Sequence, residues 1–327
     1  MTERSYGIGG YYPEGALINR AENLLYLRNA KSLSEAAARG ITLESQCLMC
    51  DCNSMTLTIE LPDGLYGIME KKDVCFSPDS DSETKDIAVI TRVGKPIQYK
   101  ILGIDNGCAY LSRRAAQKEC YEKYISDLTP GDIIPARITH LEPFGAFCDI
   151  GCGIVSLLTV DKISVSRISH PSDRFSIGEY ISAVVSSVED SGRIYLTHRE
   201  LLGTWEENAS LFTPGQTITG IIRSVEDYGV FVELAPNLAG LAESFDGAVP
   251  GDCCSVYIKN IIPERMKIKL IIIDTCGHAD TPPFRYFIDT EKTWHIDRWQ
   301  YSPLVSQKNV ETVFSLRETE SEISQSR

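Results

Sequence analysis

The chain has 327 residues, 43% of them hydrophobic and 24% charged, and a formal net charge of −13. That length accommodates two or three small domains. The charge excludes a protein that coats nucleic acid by electrostatics alone, although stacking backed by a local basic rim remains open to it.

Residues 1–6 lack a basic-apolar signal pattern, and no apolar run is long enough to cross a membrane. Residues 268–273 are only strand length and contain Lys269. The 11 cysteines are odd in number and scattered among apolar positions, as in a reducing cytoplasm rather than a disulfide framework. Cys47, Cys50 and Cys52 form the densest group, but no second Cys-x-x-Cys or His pair completes a zinc site. They read better as small buried hydrophobes. The expected compartment is the cytoplasm, with no metal and no cofactor.

In chain order, residues 1–13 are Gly- and Tyr-rich and irregular. Leu17, Ala21, Leu24, Leu25, Leu33, Ala36 and Ala37 recur at helical spacing, giving an amino-terminal helical segment over 1–40. Residues 41–126 then alternate as strands, with a turn at Pro62-Asp63-Gly64, a polar acidic insert over 77–85 and a trailing helix. Residues 128–212 contain the most informative stretch, Phe144-Gly145-Ala146-Phe147, at the turn and second strand of a hairpin. Glycine inside a strand often marks a bulge that re-aims its neighbours. A bulge at Gly145 would bring both rings to one open face as platforms for unpaired bases. A single such motif reads better as core.

The motif recurs, however. Tyr228-Gly229-Val230-Phe231 has the same internal spacing, and Pro130-Gly131 and Pro214-Gly215 open the two frames. Each frame continues through a third strand, a Gly-acidic pair, a Val/Ile-rich strand and a final strand entered from a basic residue. Five short strands in this order read as a closed barrel of the OB type. The second frame occupies 213–275. Residues 41–126 read as a degenerate third copy without the ring pair. The expected class is mainly β, with three tandem OB-type five-stranded barrels, the amino-terminal helices and helical linkers.

The loop over 162–177 is expected to contain a turn and short helix at His170-Pro171-Ser172-Asp173, with His170 a cap or an RNA contact. Thr197/Glu200 and Thr204/Glu207 have capping-box spacing, and Trp205 is expected to pack the linker helix onto a barrel. In 276–327, residues 283–288 and 294–299 read as an aromatic hairpin, either packed on the last barrel or extending an RNA face. A polar tail follows, with a helical stretch near 310–316.

Residues 131–197 resemble the S1 RNA-binding domain of the bacterial ribosomal protein S1 family. Residues 215–274 resemble it more loosely, and the linker 199–208 is similar to that family's helical connector. The resemblance implies a single-stranded RNA partner, mRNA on or near the small ribosomal subunit. By position it implies RNA contacts at Phe144, Phe147, Thr159 (where the family has His), Asp190 and Arg193. In the last repeat it implies Tyr228, Phe231 and Lys267, with Ala242 at the His position and Pro263 at the Asp position.

No Walker loop, Gly-x-Ser-x-Gly, His-Glu-x-x-His or paired His ligands occur. The expected protein is therefore non-enzymatic, with no catalytic residues, no small-molecule substrate and no membrane partner, acting in translation. The rival reading is a protein-interaction scaffold with little RNA affinity of its own, favoured by the acidic balance and the degenerate first barrel. A nuclease is a further rival, since the fold also serves as an accessory domain of ribonucleases.

Overall fold

The computed structural model describes residues 10–78, 84–278 and 284–314. The expectations for residues 1–9, for most of the acidic insert and for the tail from residue 315 lie outside them. Helices α1 (Ala21–Tyr26) and α2 (Ala30–Arg39) precede a first barrel of β1 (Leu43–Asp51), β2 (Thr56–Glu60), β3 (Tyr66–Met69), β4 (Pro96–Asp105) and β5 (Cys108–Ser112), with α3 (Asp86–Ile90) inserted before β4. Helix α4 (Arg113–Lys123) leads to a second barrel of β6 (Ile133–Glu142), β7 (Gly145–Asp149), β8 (Val155–Thr159), β9 (Tyr180–Val188) and β10 (Ile194–Thr197), with α5 (Val160–Ile163) after β8. Helix α6 (Trp205–Ala209) connects to a third barrel of β11 (Thr217–Glu226), β12 (Gly229–Ala235), β13 (Leu238–Ala242), β14 (Asp252–Ile262) and β15 (Lys267–His278). β16 (Arg298–Gln300) and β17 (Glu311–Val313) form a short ribbon.

All three five-stranded sheets close, and in each the third and fifth strands run parallel while the other pairs are antiparallel. Period-two patterning explains the inside and outside of each barrel. β6 turns Ile134, Ala136 and Ile138 inward, and β15 turns Ile268, Leu270 and Ile272 inward while Lys267, Lys269 and Ile271 face out. Helix α2 is fixed by a reciprocal Asn29/Ser32 capping box and ends at Gly40 in the left-handed region, burying Leu33 and Ala36 on the first barrel.

The barrels are docked by buried polar contacts. Residues 10–18 lie in the expected amino-terminal helical segment but are not helical. They form instead a strap between the first two barrels, held by the Glu14–Arg113 pair (Nε–Oε1 2.6 Å, Nη2–Oε2 2.9 Å) and by the Glu14 N–H donating to Asp149 Oδ2 at 2.7 Å. The second and third barrels meet where Arg174, fully buried, reaches Glu233 on β12, whose Oε2 also accepts from Arg223 Nε at 2.7 Å.

Several expectations are corrected. Residues 284–299 do not form a hairpin. The Phe287 N–H donates to Leu201 O, Ile296 N–H to Gly131 O, and Ile133 N–H to Trp294 O, so the segment's hydrogen bonds are spent on the second barrel and its linker. The region near Val310 contains strand β17, paired with β16, rather than a helix. Thr197 and Glu200 bond side chain to side chain, and the helical turn beginning at Arg199 has no side-chain cap, whereas the Thr204/Glu207 box is formed. Cys52 is exposed in the β1–β2 turn, beyond reach of the core that takes Cys47. β15 continues to His278, past the expected boundary at residue 275.

Trp205 is buried in the third barrel's core, and His170 caps the turn at Pro171 by accepting from the Ser172 N–H. His198 is fully buried among Phe175, Phe284 and Tyr286, with Nδ1 against Ile163 O and Nε2 against the Tyr286 hydroxyl. Burial, with a contribution from Arg174, pushes the imidazole down to about 4. The unfolded chain therefore binds the extra proton first. This contribution to stability is complete above about pH 6.5 and is lost as pH falls toward 4. Thermal melts over that window are expected to show the loss, and His198→Phe is expected to flatten it. An unchanged pH slope in the variant would assign the loss to other groups.

Candidate nucleic-acid interface

The register of the strands makes the three barrels comparable residue by residue. In the second barrel, His140 on β6 pairs with Phe147 on β7, Phe147 with Leu157 on β8, Leu157 with Tyr195 on β10 and Tyr195 with Ser187 on β9. All five face outward, so they form one row around the barrel. The same row in the third barrel reads Ser224, Phe231, Leu241, Lys269 and Asn260. In the first it reads Met49, Thr58, Ile68, Tyr110 and Gly103.

Each barrel has the same two bulges flanking this row. One lies in the first strand, at Leu48, Thr139 or Arg223. The other lies in the fourth strand, at Leu102, Ser186 or Lys259. The bulge expected at Gly145 is thus in the opposite strand, at Thr139. Gly145 is needed for a different reason: a Cβ there would stand 2.5 Å from Leu158 O, and at Gly229, with φ +146, 2.3 Å from Ala242 O. Only glycine lets the second strand approach the third so closely beside the ring pair.

Phe144 lies in the two-residue turn between the Glu142–Gly145 pair and is 54% exposed; Phe147 is half-buried on the strand. Their rings meet edge to face at 5.9 Å and 90°. Tyr228 and Phe231 repeat this geometry at 6.1 Å and 90°, with Tyr228 68% exposed. An edge-to-face pair leaves ring faces open to a third aromatic.

His140, missed as a site residue from sequence, stacks on Phe147 at 6.3 Å and 27°. The signal was present, since it sits three residues before the motif's turn on an alternating strand. Tyr195, also missed, lies two residues beyond Arg193. The Glu189 carboxylate accepts a hydrogen bond from its hydroxyl and raises the phenol above its ordinary range.

Thr159 pairs with Gly145, one row above the rings and half-buried. Asp190 and Arg193 lie exposed at the turn before β10. Lys267 is Arg193's counterpart by register and is exposed. Ala242 is not Thr159's counterpart. It matches Leu158 and is buried, and Glu243 follows it one residue past β13. In the first barrel Thr58 stands for Phe147 and Met55 for Phe144, so its face carries no ring pair.

The S1 RNA binding domain family matches residues 127–199. The small ribosomal subunit protein bS1 of Staphylococcus aureus (strain COL) is 30% identical over 206 residues, 57% of this chain and 52% of that protein. The bS1 of Chlamydia muridarum is 25% identical over 237 residues, 68% of this chain and 41% of that protein. The chain spans about half the length of the curated relatives it matches. Among solved structures, a multidomain protein with nucleic acid binding domains from Streptococcus pneumoniae covers 72% of this chain and 74% of its own, at 14% identity and a TM-score of 0.24, too low to carry an argument.

Proposed function

We propose that this chain, which carries an S1 RNA binding domain and is similar to bS1 over more than half its length, binds single-stranded RNA without catalysing a reaction on it. The observation that carries the reading is the repetition, in two barrels and at the same register, of an edge-to-face ring pair on the outer face. Stacking on such rings contributes about 1–3 kcal/mol per base and tolerates any base. The contacts proposed in the second barrel are Phe144, Phe147, Thr159, Asp190 and Arg193, with His140 and Tyr195 extending the row. Those proposed in the third are Tyr228, Phe231 and Lys267. The bS1 relatives are named as small-subunit proteins, which supports mRNA as the RNA, translation as the process, the cytoplasm as the place and the small ribosomal subunit as a partner.

Fluorescence anisotropy with a labelled oligouridylate, alone and annealed to oligoadenylate, tests the reading. The single strand is expected to bind and the duplex to bind far more weakly, because its bases are already stacked. Equal binding of both, or binding of neither, would overturn it. The same strand incubated with magnesium is expected to stay intact, and its shortening would favour the nuclease.

A second reading holds for the first barrel alone. Its equivalent row and flanking bulges expose Leu48, Met49, Leu102 and Tyr110, an apolar face suited to protein rather than to RNA. Tyr110→Ala in the full chain is expected to leave oligouridylate affinity unchanged. A drop comparable to that of Phe147→Ala would place RNA on this barrel too.

A further inference from the structure

The two ring-bearing barrels differ most where the fourth and fifth strands meet. In the second barrel the positions are Ser186 at the bulge, Arg193 before β10 and Tyr195 in the row, with Glu189 and Asp190 exposed beside them. In the third barrel the same positions hold Lys259, Lys267 and Lys269, all exposed and, among the described residues, none in an ion pair. Lys267 and Lys269 alternate onto the outer face of β15. Lys269 pairs with Asn260, and the bulge sets Lys259 beside that pair without a partner of its own.

Carboxylates lie mainly on the other side of the rings. Glu226 pairs with Gly229 at the Tyr228 end of the face, with Asp227 in the turn beside Tyr228 and Glu243 just past β13, while Glu264 sits in the β14–β15 turn. The face is therefore polarised, acidic at the Tyr228 end and basic past Phe231. Adjacent strands are about 4.8 Å apart, so Lys269, two strands from Phe231 through Leu241, stands about 10 Å from it. A base on the ring thus leaves its own strand's phosphates over the lysines.

We propose that Lys259, Lys267 and Lys269 form a backbone-phosphate site on the third barrel, which anchors the single strand by charge while the second barrel holds bases mainly by stacking. The proposal rests on the RNA reading above. It predicts that the salt dependence of binding belongs to one barrel and the salt-independent affinity chiefly to the other, since each phosphate contact on a single strand adds about 0.7 to the slope of log K against log salt.

The test uses the full chain and a labelled oligouridylate, with affinity measured across a potassium chloride series. Lys259→Gln/Lys267→Gln/Lys269→Gln is expected to lower the slope by about 2, at about 0.7 for each lysine. Phe147→Ala is expected to lower affinity at every salt concentration with the slope kept. Restoring charge as Lys259→Arg/Lys267→Arg/Lys269→Arg is expected to restore the slope, and melting temperatures report folding of each variant. A wild-type slope in the folded glutamine variant would overturn the phosphate site while leaving RNA binding standing. Absence of binding by the wild-type chain would overturn the RNA reading and this site with it.

Discussion

Replacing Phe147 and Phe231 together by alanine is expected to weaken oligouridylate binding by about 2–6 kcal/mol, at about 1–3 kcal/mol for each stacked base. The two contributions should add, because the rings sit in different barrels with no shared partner. Of the single variants, Phe147→Ala should show the larger share of the loss. Stability should change by about 1 kcal/mol or less per site, the usual size for a partly exposed residue. Among the described residues, the aromatic partners of the rings are Phe144, His140 and Tyr228 on the outer face, and neither ring belongs to a barrel core. A core phenylalanine behaves oppositely, costing about 3–5 kcal/mol of folding stability when truncated. Paired measurements of melting temperature and affinity separate the cases. Heavy destabilisation with affinity intact in the folded fraction would make the ring pair structural and put the scaffold reading ahead.

The fold was legible because each barrel buries one face of its strands, so alternation and recurring Gly-punctuated turns announce themselves without tertiary information. Phe144, Phe147, Tyr228 and Phe231 were legible for the same reason, as a repeated spacing. Register was less so. A bulge shifts the inward and outward assignment of everything after it, and the bulges at Thr139 and Lys259 carry no glycine to mark them. Ala242 differs for another reason: it stands one residue nearer Phe231 than Thr159 does to Phe147, which puts it on the inward face with Leu158, and Lys269 is hidden inside an apolar run. The segment 284–299 failed differently. Its aromatics satisfy a hairpin pattern, but barrel edges and the linker offered its backbone donors nearer acceptors. Docking contacts such as Glu14 with Arg113 join residues far apart in sequence, and no local pattern reports them.

The other large effect concerns the contact that holds the two ring-bearing barrels in fixed relation. Glu233→Gln is expected to cost about 3–5 kcal/mol of stability, the penalty for leaving buried charge uncompensated. Glu233 is buried on β12, and its Oε2 accepts from both Arg174 and Arg223. Arg174 has no exposed side-chain surface, and burial already lowers its pKa against the support of Glu233. Asp173, 3.6 Å from Arg223, is the next carboxylate and is too far to neutralise both guanidinium groups. The triple variant Arg174→Met/Glu233→Leu/Arg223→Met should be close to wild type or more stable, because it removes the desolvation cost together with the charges. Denaturant melts of both variants decide the matter. Equal destabilisation would mean that shape rather than charge holds the junction. The junction also bears on binding. Two barrels on one rigid body meet a strand at a fixed spacing, and loosening them lowers the effective concentration of the second site. Glu233→Gln should therefore weaken binding of an oligouridylate long enough to span both barrels more than it weakens binding of one that fills a single face. Equal losses on both lengths would show that the barrels engage RNA independently.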